Sequence, residues 1–168
     1  ILDINIGSWD VSKVTNFDHF VNNFQFSEDL SNWDVSSALD MSHMFSNTTF
    51  NGNINGWDVS NVTNMRSMFL SSTEFNQDIS NWGVSNVTNM SYMFQGAFAF
   101  NQDISNWNVL NVTNMSGMFQ GASLFDQPIG SWNVSNVTEM TFMFSELNYD
   151  ILSGDTQIAT SIFNQPLN

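Results

Sequence analysis

Phe75-Asn76-Gln77-Asp78-Ile79-Ser80-Asn81-Trp82-Gly83-Val84-Ser85-Asn86-Val87-Thr88-Asn89-Met90-Ser91-Tyr92-Met93-Phe94 is one unit of a repeat. The next begins at Phe100-Asn101-Gln102-Asp103-Ile104. Aligned on tryptophan, the units fall in register at Trp9, Trp33, Trp57, Trp82, Trp107 and Trp132, with spacings of 24, 24, 25, 25 and 25 residues. A period this strict over nearly the whole chain marks repeats that each bury a face on their neighbours.

The apolar residues keep fixed places around each Trp. Seven before it stand Leu2, Phe26, Phe50, Phe75, Phe100 and Phe125, and three before it Ile6, Leu30, Ile54, Ile79, Ile104 and Ile129. Two after it is always Val, from Val11 to Val134. Trp82 and Val84 share strand parity, whereas Val87, Met90, Met93 and Phe94 have the spacing of a helical stripe. Ser85 precedes that stripe as an N-cap would, as do Ser12, Ser36, Ser60 and Ser135; Leu110 breaks the pattern. The expectation is a right-handed β-solenoid of about six repeats, each a short strand plus a short helix or 3-10 segment. It spans residues 1–144. An insertion follows at 145–162, and Phe163-Asn164-Gln165-Pro166-Leu167 begins a further repeat at 163–168. The chain opens inside one repeat and stops before the Trp of another, so a longer array is expected.

Composition narrows the partners. Sixteen acidic residues against two Lys+Arg give a net charge of −14 over 168 residues. Nucleic acid and anionic membrane surfaces both need clustered cations, so both are disfavoured. There is no cysteine, which removes disulfides, zinc–thiolate sites and Cys nucleophiles. No apolar run is long enough to span a bilayer, and Ile1-Leu2-Asp3-Ile4 is not a signal peptide.

Several columns carry candidate chemistry. The six Trp residues form either a core ladder, which their parity with Val favours, or an exposed aromatic stripe. Asp10, Asp34 and Asp58 each follow their Trp and stack like charges, which solvent or a bridging Ca²⁺ would relieve. His19 and His43 lie ten residues after their Trp on adjacent repeats, with Asp18 and Asp40 as carboxylate companions. They read as a metal or pH site, or as surface side chains. Thr15, Thr63, Thr88, Thr113 and Thr138 align as a regular hydroxyl array. Asn61, Asn86, Asn111 and Asn136 match the glycosylation acceptor, as a product of the repeat itself. Insertions in repeat arrays often make the binding face, so Glu146, Tyr149, Asp150 and Asp155 are candidate contacts. No phosphate loop, metalloprotease motif or nucleophile elbow occurs, and no catalytic residue is expected.

The motif Phe-Asn-Gln-Asp-Ile-Ser-Asn-Trp-x-Val-Ser-Asn-Val-Thr-Asn-Met-Ser-x-Met-Phe resembles the repeat of BspA-like leucine-rich-repeat surface proteins, also called the DUF285 repeat. The resemblance covers roughly residues 2–144 and resumes at 163–168. It implies a leucine-rich-repeat-like fold, a cell-surface or secreted setting, and a role in adhesion or protein binding without catalytic residues. The expected function is a non-enzymatic protein-interaction or adhesion module. The alternatives are a structural subunit of a larger assembly and a calcium-dependent adhesin segment.

Overall fold

The computed structural model describes residues 6–25 and 28–147. The units pack one on the next in register, but not through strands and helices. Among the described residues the only named elements are two 3-10 turns, Ile6–Ser8 and Ile129–Ser131. The described residues hold no sheet and no α-helix, which corrects the expected β-solenoid with a strand and a helix per repeat.

Hydrogen bonding explains the difference. Five isolated parallel bridges link Asn16, Asp40, Asn64, Asn89, Asn114 and Glu139 in series. Beyond the bridge, alternate residues bond in two directions. Phe17, His19, Val21 and Asn23 donate their N–H across to the carbonyls of Asp40, Ser42, Met44 and Ser46 at 2.8, 3.1, 3.2 and 2.9 Å. Phe20, Asn22 and Phe24 donate back three residues, to Phe17, His19 and Val21 at 3.0, 3.3 and 3.1 Å. The segment is a chain of four-residue turns.

Two places in each turn chain have positive φ. Ten residues after Trp these are His19, His43, Ser67, Tyr92, Gly117 and Phe142; fourteen after, they are Asn23, Asn47, Ser71, Gly96 and Gly121. A left-handed residue every fourth position prevents an α-helix, and at the third residue of a hydrogen-bonded turn it is what a type II turn requires. The 3-residue spacings of Val84 to Val87 and of Met90 to Met93 therefore come from turns, with the Asn89 bridge between them. Asn and Gly recur at the second place because they enter the left-handed region at least cost.

At the Trp edge, side chains link the units. The indole N–H groups of Trp33, Trp57, Trp82, Trp107 and Trp132 donate to the carbonyls of Ile6, Leu30, Ile54, Ile79 and Ile104, one unit back, at 3.0–3.2 Å. Asn61, Asn86, Asn111 and Asn136 donate from Nδ2 to the carbonyls of Ser36, Ser60, Ser85 and Leu110 at 2.7–2.9 Å. These bonds do here what a backbone ladder would do between strands.

Ser12, Ser36, Ser60 and Ser135 close turns instead of capping helices, whereas Ser85 follows Gly83 and has no Asx residue two positions before it. Ser36 donates its N–H and its hydroxyl to Asp34 Oδ1 at 3.0 and 2.6 Å. Leu110 closes the same turn with its N–H alone, to Asn108 Oδ1 at 3.2 Å. The unit of Trp33 has Asx turns at three places, Asp29–Ser31, Asp34–Ser36 and Asp40–Ser42, and the unit of Trp82 at two, since Gly83 offers no side chain. The interior holds the columns of Phe, Ile, Trp, Val and Met, fully buried in the central units. Phe45, Phe69, Phe94 and Phe119 stack on one another at 5.5–5.8 Å between ring centroids.

Candidate functional site

The Trp residues fall in two groups. Trp33, Trp57, Trp82, Trp107 and Trp132 are buried, and only Trp9, in the first unit, is 47% exposed. Neighbouring indoles lie nearly parallel, with Trp33–Trp57 and Trp57–Trp82 at 6.3 and 6.5 Å.

Asp10, Asp34 and Asp58 line the exposed corner after the Trp. Each accepts the N–H of the serine two residues on, at 3.0–3.1 Å. The serine hydroxyl and amide hold all three carboxyls below the ordinary carboxylate range. At Asp34 the like charges of Asp10 and Asp58 push weakly the other way. Asp78 and Asp103 are lowered in the same manner by Ser80 and Ser105. These carboxylates are fastened to their own turns and do not converge on a common point.

A different set does converge. Among the described residues, Asp18, His19 and His43 bring donor atoms within 4.8 Å of one another. The two imidazoles stack at 4.3 Å with planes 13° apart, and His19 Nδ1 lies 2.6 Å from Asp18 Oδ1. The turn chain explains the meeting: both histidines occupy the left-handed place of adjacent units, so their side chains leave the stack in parallel. Partial burial and the neighbouring His19 and Arg66 lower the His43 pKa, against the opposing charges of Asp18 and Asp40. Asp40, the other expected companion, is turned to Ser42 and Asn64, at 2.6 and 3.1 Å. Its own pKa is raised by burial, but the bonds from Ser42 and Asn64 outweigh this and leave it lowered.

The threonine hydroxyls are used internally: those of Thr63, Thr88, Thr113 and Thr138 donate to the carbonyl one unit back, at 3.1–3.2 Å. Glu146 is exposed beside an open hollow lined with Gln120, Phe142, Ser145 and Leu147. Tyr149, Asp150 and Asp155, with most of the expected insertion at 145–162 and all of 163–168, lie outside the described residues.

Sequence reasoning missed one variable column. The place ten residues after Trp holds one backbone conformation in all six units, yet its side chains are His19, His43, Ser67, Tyr92, Gly117 and Phe142. Arg66 sets its guanidinium over the Tyr92 ring at 5.9 Å, and Phe142 is 66% exposed. Glycine at position 117 was the available signal of the left-handed backbone.

Turn-built units stacked in register on a constant core define a repeat protein. A family model described as "Mycoplasma protein of unknown function, DUF285" matches residues 2–69 and 41–154, and the chain belongs to that family. No curated protein and no solved structure matches it. No helix among the described residues is long and apolar enough to cross a membrane.

Proposed function

We propose that this chain is a non-enzymatic protein-binding module of a surface or secreted protein of the BspA-like kind. One observation carries the reading: the column ten residues after Trp keeps its backbone fixed while its side chain changes in almost every unit. Most other columns repeat one residue type and are tied into the core or into bonds between units. His19 and Phe142 are exposed and His43 and Tyr92 half-buried, whereas Ser67 and Gly117 are buried, so four of the six places offer a side chain for display. Affinity would then come from many small contacts along a rigid face.

The test places a photo-crosslinking residue at Tyr92, and separately at Thr88 in the hydroxyl column, and exposes the protein to its native surface material. Capture of a surface or matrix protein from position 92 well above that from position 88 is the expected result. Equal capture from both positions sinks the display reading. Capture at fixed stoichiometry into one defined complex favours the assembly-subunit alternative.

A further inference from the structure

We infer that Asp18, His19 and His43 form a binding site for a borderline divalent transition metal ion, of which Zn²⁺ is the natural probe. Two imidazoles and one carboxylate make a donor set that suits Zn²⁺, Ni²⁺ or Cu²⁺ better than the oxygen-preferring Ca²⁺ and Mg²⁺. This separates the site from the aspartate corners, which offer oxygen alone.

Preorganisation supports the assignment. Both histidine backbones are pinned across units, His19 N–H to Ser42 O at 3.1 Å and His43 N–H to Arg66 O at 2.9 Å. Both have positive φ, 58° and 54°, a conformation that costs a residue of this size about 1–3 kcal/mol wherever it is found. The Ser42 hydroxyl oxygen lies 2.9 Å from Asp18 Oδ1 and 2.6 Å from Asp40 Oδ1, so its one hydrogen is shared between the two carboxylates and Asp18 stays free to turn. The three donors lie within 4.8 Å of one another, and a tetrahedral ion with bonds of about 2.0–2.1 Å needs them roughly 3.3 Å apart. Rotation of the His19 and Asp18 side chains, 54% and 41% exposed, would open their 2.6 Å Nδ1–Oδ1 contact and bring the wider pairs in to that spacing. Three protein ligands leave a fourth position for water or for a donor from a partner.

The site is confined to the first two units. Further along the same column stand Ser67, Tyr92, Gly117 and Phe142, none of them a good ligand for such an ion. One charge opposes occupancy, that of Arg66 on the next unit, and its guanidinium is drawn toward Tyr92. The chain's net charge of −14 favours cation approach.

The test is calorimetric titration of the full chain with ZnCl₂, alongside His19→Asn, His43→Asn and the double variant. Asn tolerates the left-handed backbone, so the turns are retained, and the near-ultraviolet signal of the buried Trp residues checks this directly. One ion per chain is expected. Losing an outer-shell partner alone costs 10–100-fold in affinity, so each single variant should bind at least about tenfold more weakly, and the double variant not at all. Electron paramagnetic resonance of the Cu²⁺ form should show two coordinated nitrogens, and one in His43→Asn. Absence of Zn²⁺ uptake overturns the proposal. So does unchanged uptake by the folded double variant, which would place the ion on the aspartate corners.

Discussion

The unit that starts at Trp33 closes 24 residues later, and the units that start at Trp57, Trp82 and Trp107 close after 25. The difference lies in one corner, between the residue fifteen after Trp and the phenylalanine seven before the next. In the longer units that corner is another turn: Phe75, Phe100 and Phe125 donate their N–H to the carbonyls of Ser72, Ala97 and Ala122 at 3.0–3.1 Å. In the shorter unit a hydroxyl replaces the missing residue. Thr48 Oγ1 accepts the Phe50 N–H at 3.3 Å and donates to Phe45 O at 2.9 Å. The phenylalanine reaches the same stacked position either way, 4.4 Å from Phe45 in the short unit and 3.8–4.0 Å from its counterpart in the long ones. Unit length is thus set at a corner, while the core columns tolerate no change of register.

The comparison is broken most severely through the core that both kinds of unit share. Trp82→Ala removes a buried indole and its bond to Ile54 O, and should cost about 3–5 kcal/mol in chemical denaturation. Trp9→Ala should cost well under half of that, because Trp9 is half-exposed.

The corner itself gives the sharper contrast. Thr48→Ala takes the acceptor from the Phe50 N–H and should destabilise by about 1–3 kcal/mol. Ser72→Ala leaves the backbone carbonyl that Phe75 uses and removes only a hydroxyl bond to Phe45 O, so about 0.5–1.5 kcal/mol is expected. Equal losses in the two variants would show that the hydroxyl does not stand in for a residue.

Gly96→Ala tests the left-handed place at φ 67° and should cost about 1 kcal/mol in thermal unfolding. The smallest effect is electrostatic. Ser60 lowers the Asp58 pKa below its ordinary 3.8 in the folded state. The stability this brings is present above the unfolded value and is lost as pH falls through the lowered folded one. Asn108 and Asn133 hold the same corner without charge. Replacing Asp10, Asp34 and Asp58 by Asn should therefore leave the melting temperature near pH 7 almost unchanged and flatten its fall below pH 4. A fall as steep as in the parent would remove these carboxylates from the acid response.

The register and the core columns were legible because burial repeats with the chain period. Secondary structure was not, because two apolar residues three apart lie on one face of a helix and equally at the ends of one four-residue turn. The deciding evidence was polar. Asp29-x-Ser31, Asp34-x-Ser36 and Asp40-x-Ser42 each place an Asx side chain two residues before a serine, the spacing of an Asx turn, and three such turns in one unit leave little room for a helix. The histidine pair was legible from its shared distance to Trp9 and Trp33. Which carboxylate joins it was not, because that depends on Asn64 drawing Asp40 aside.

The near-parallel indoles have an optical consequence. Trp33, Trp57 and Trp82 lie 6.3 and 6.5 Å apart with planes 4° and 1° from parallel. Chromophores so close and so aligned share their excitation. Light absorbed by one should hop along the row before it is emitted, so a quencher beside Trp82 should dim its neighbours, and much less so once the units separate by a few ångströms. The protein carries its own strain gauge, readable without a label.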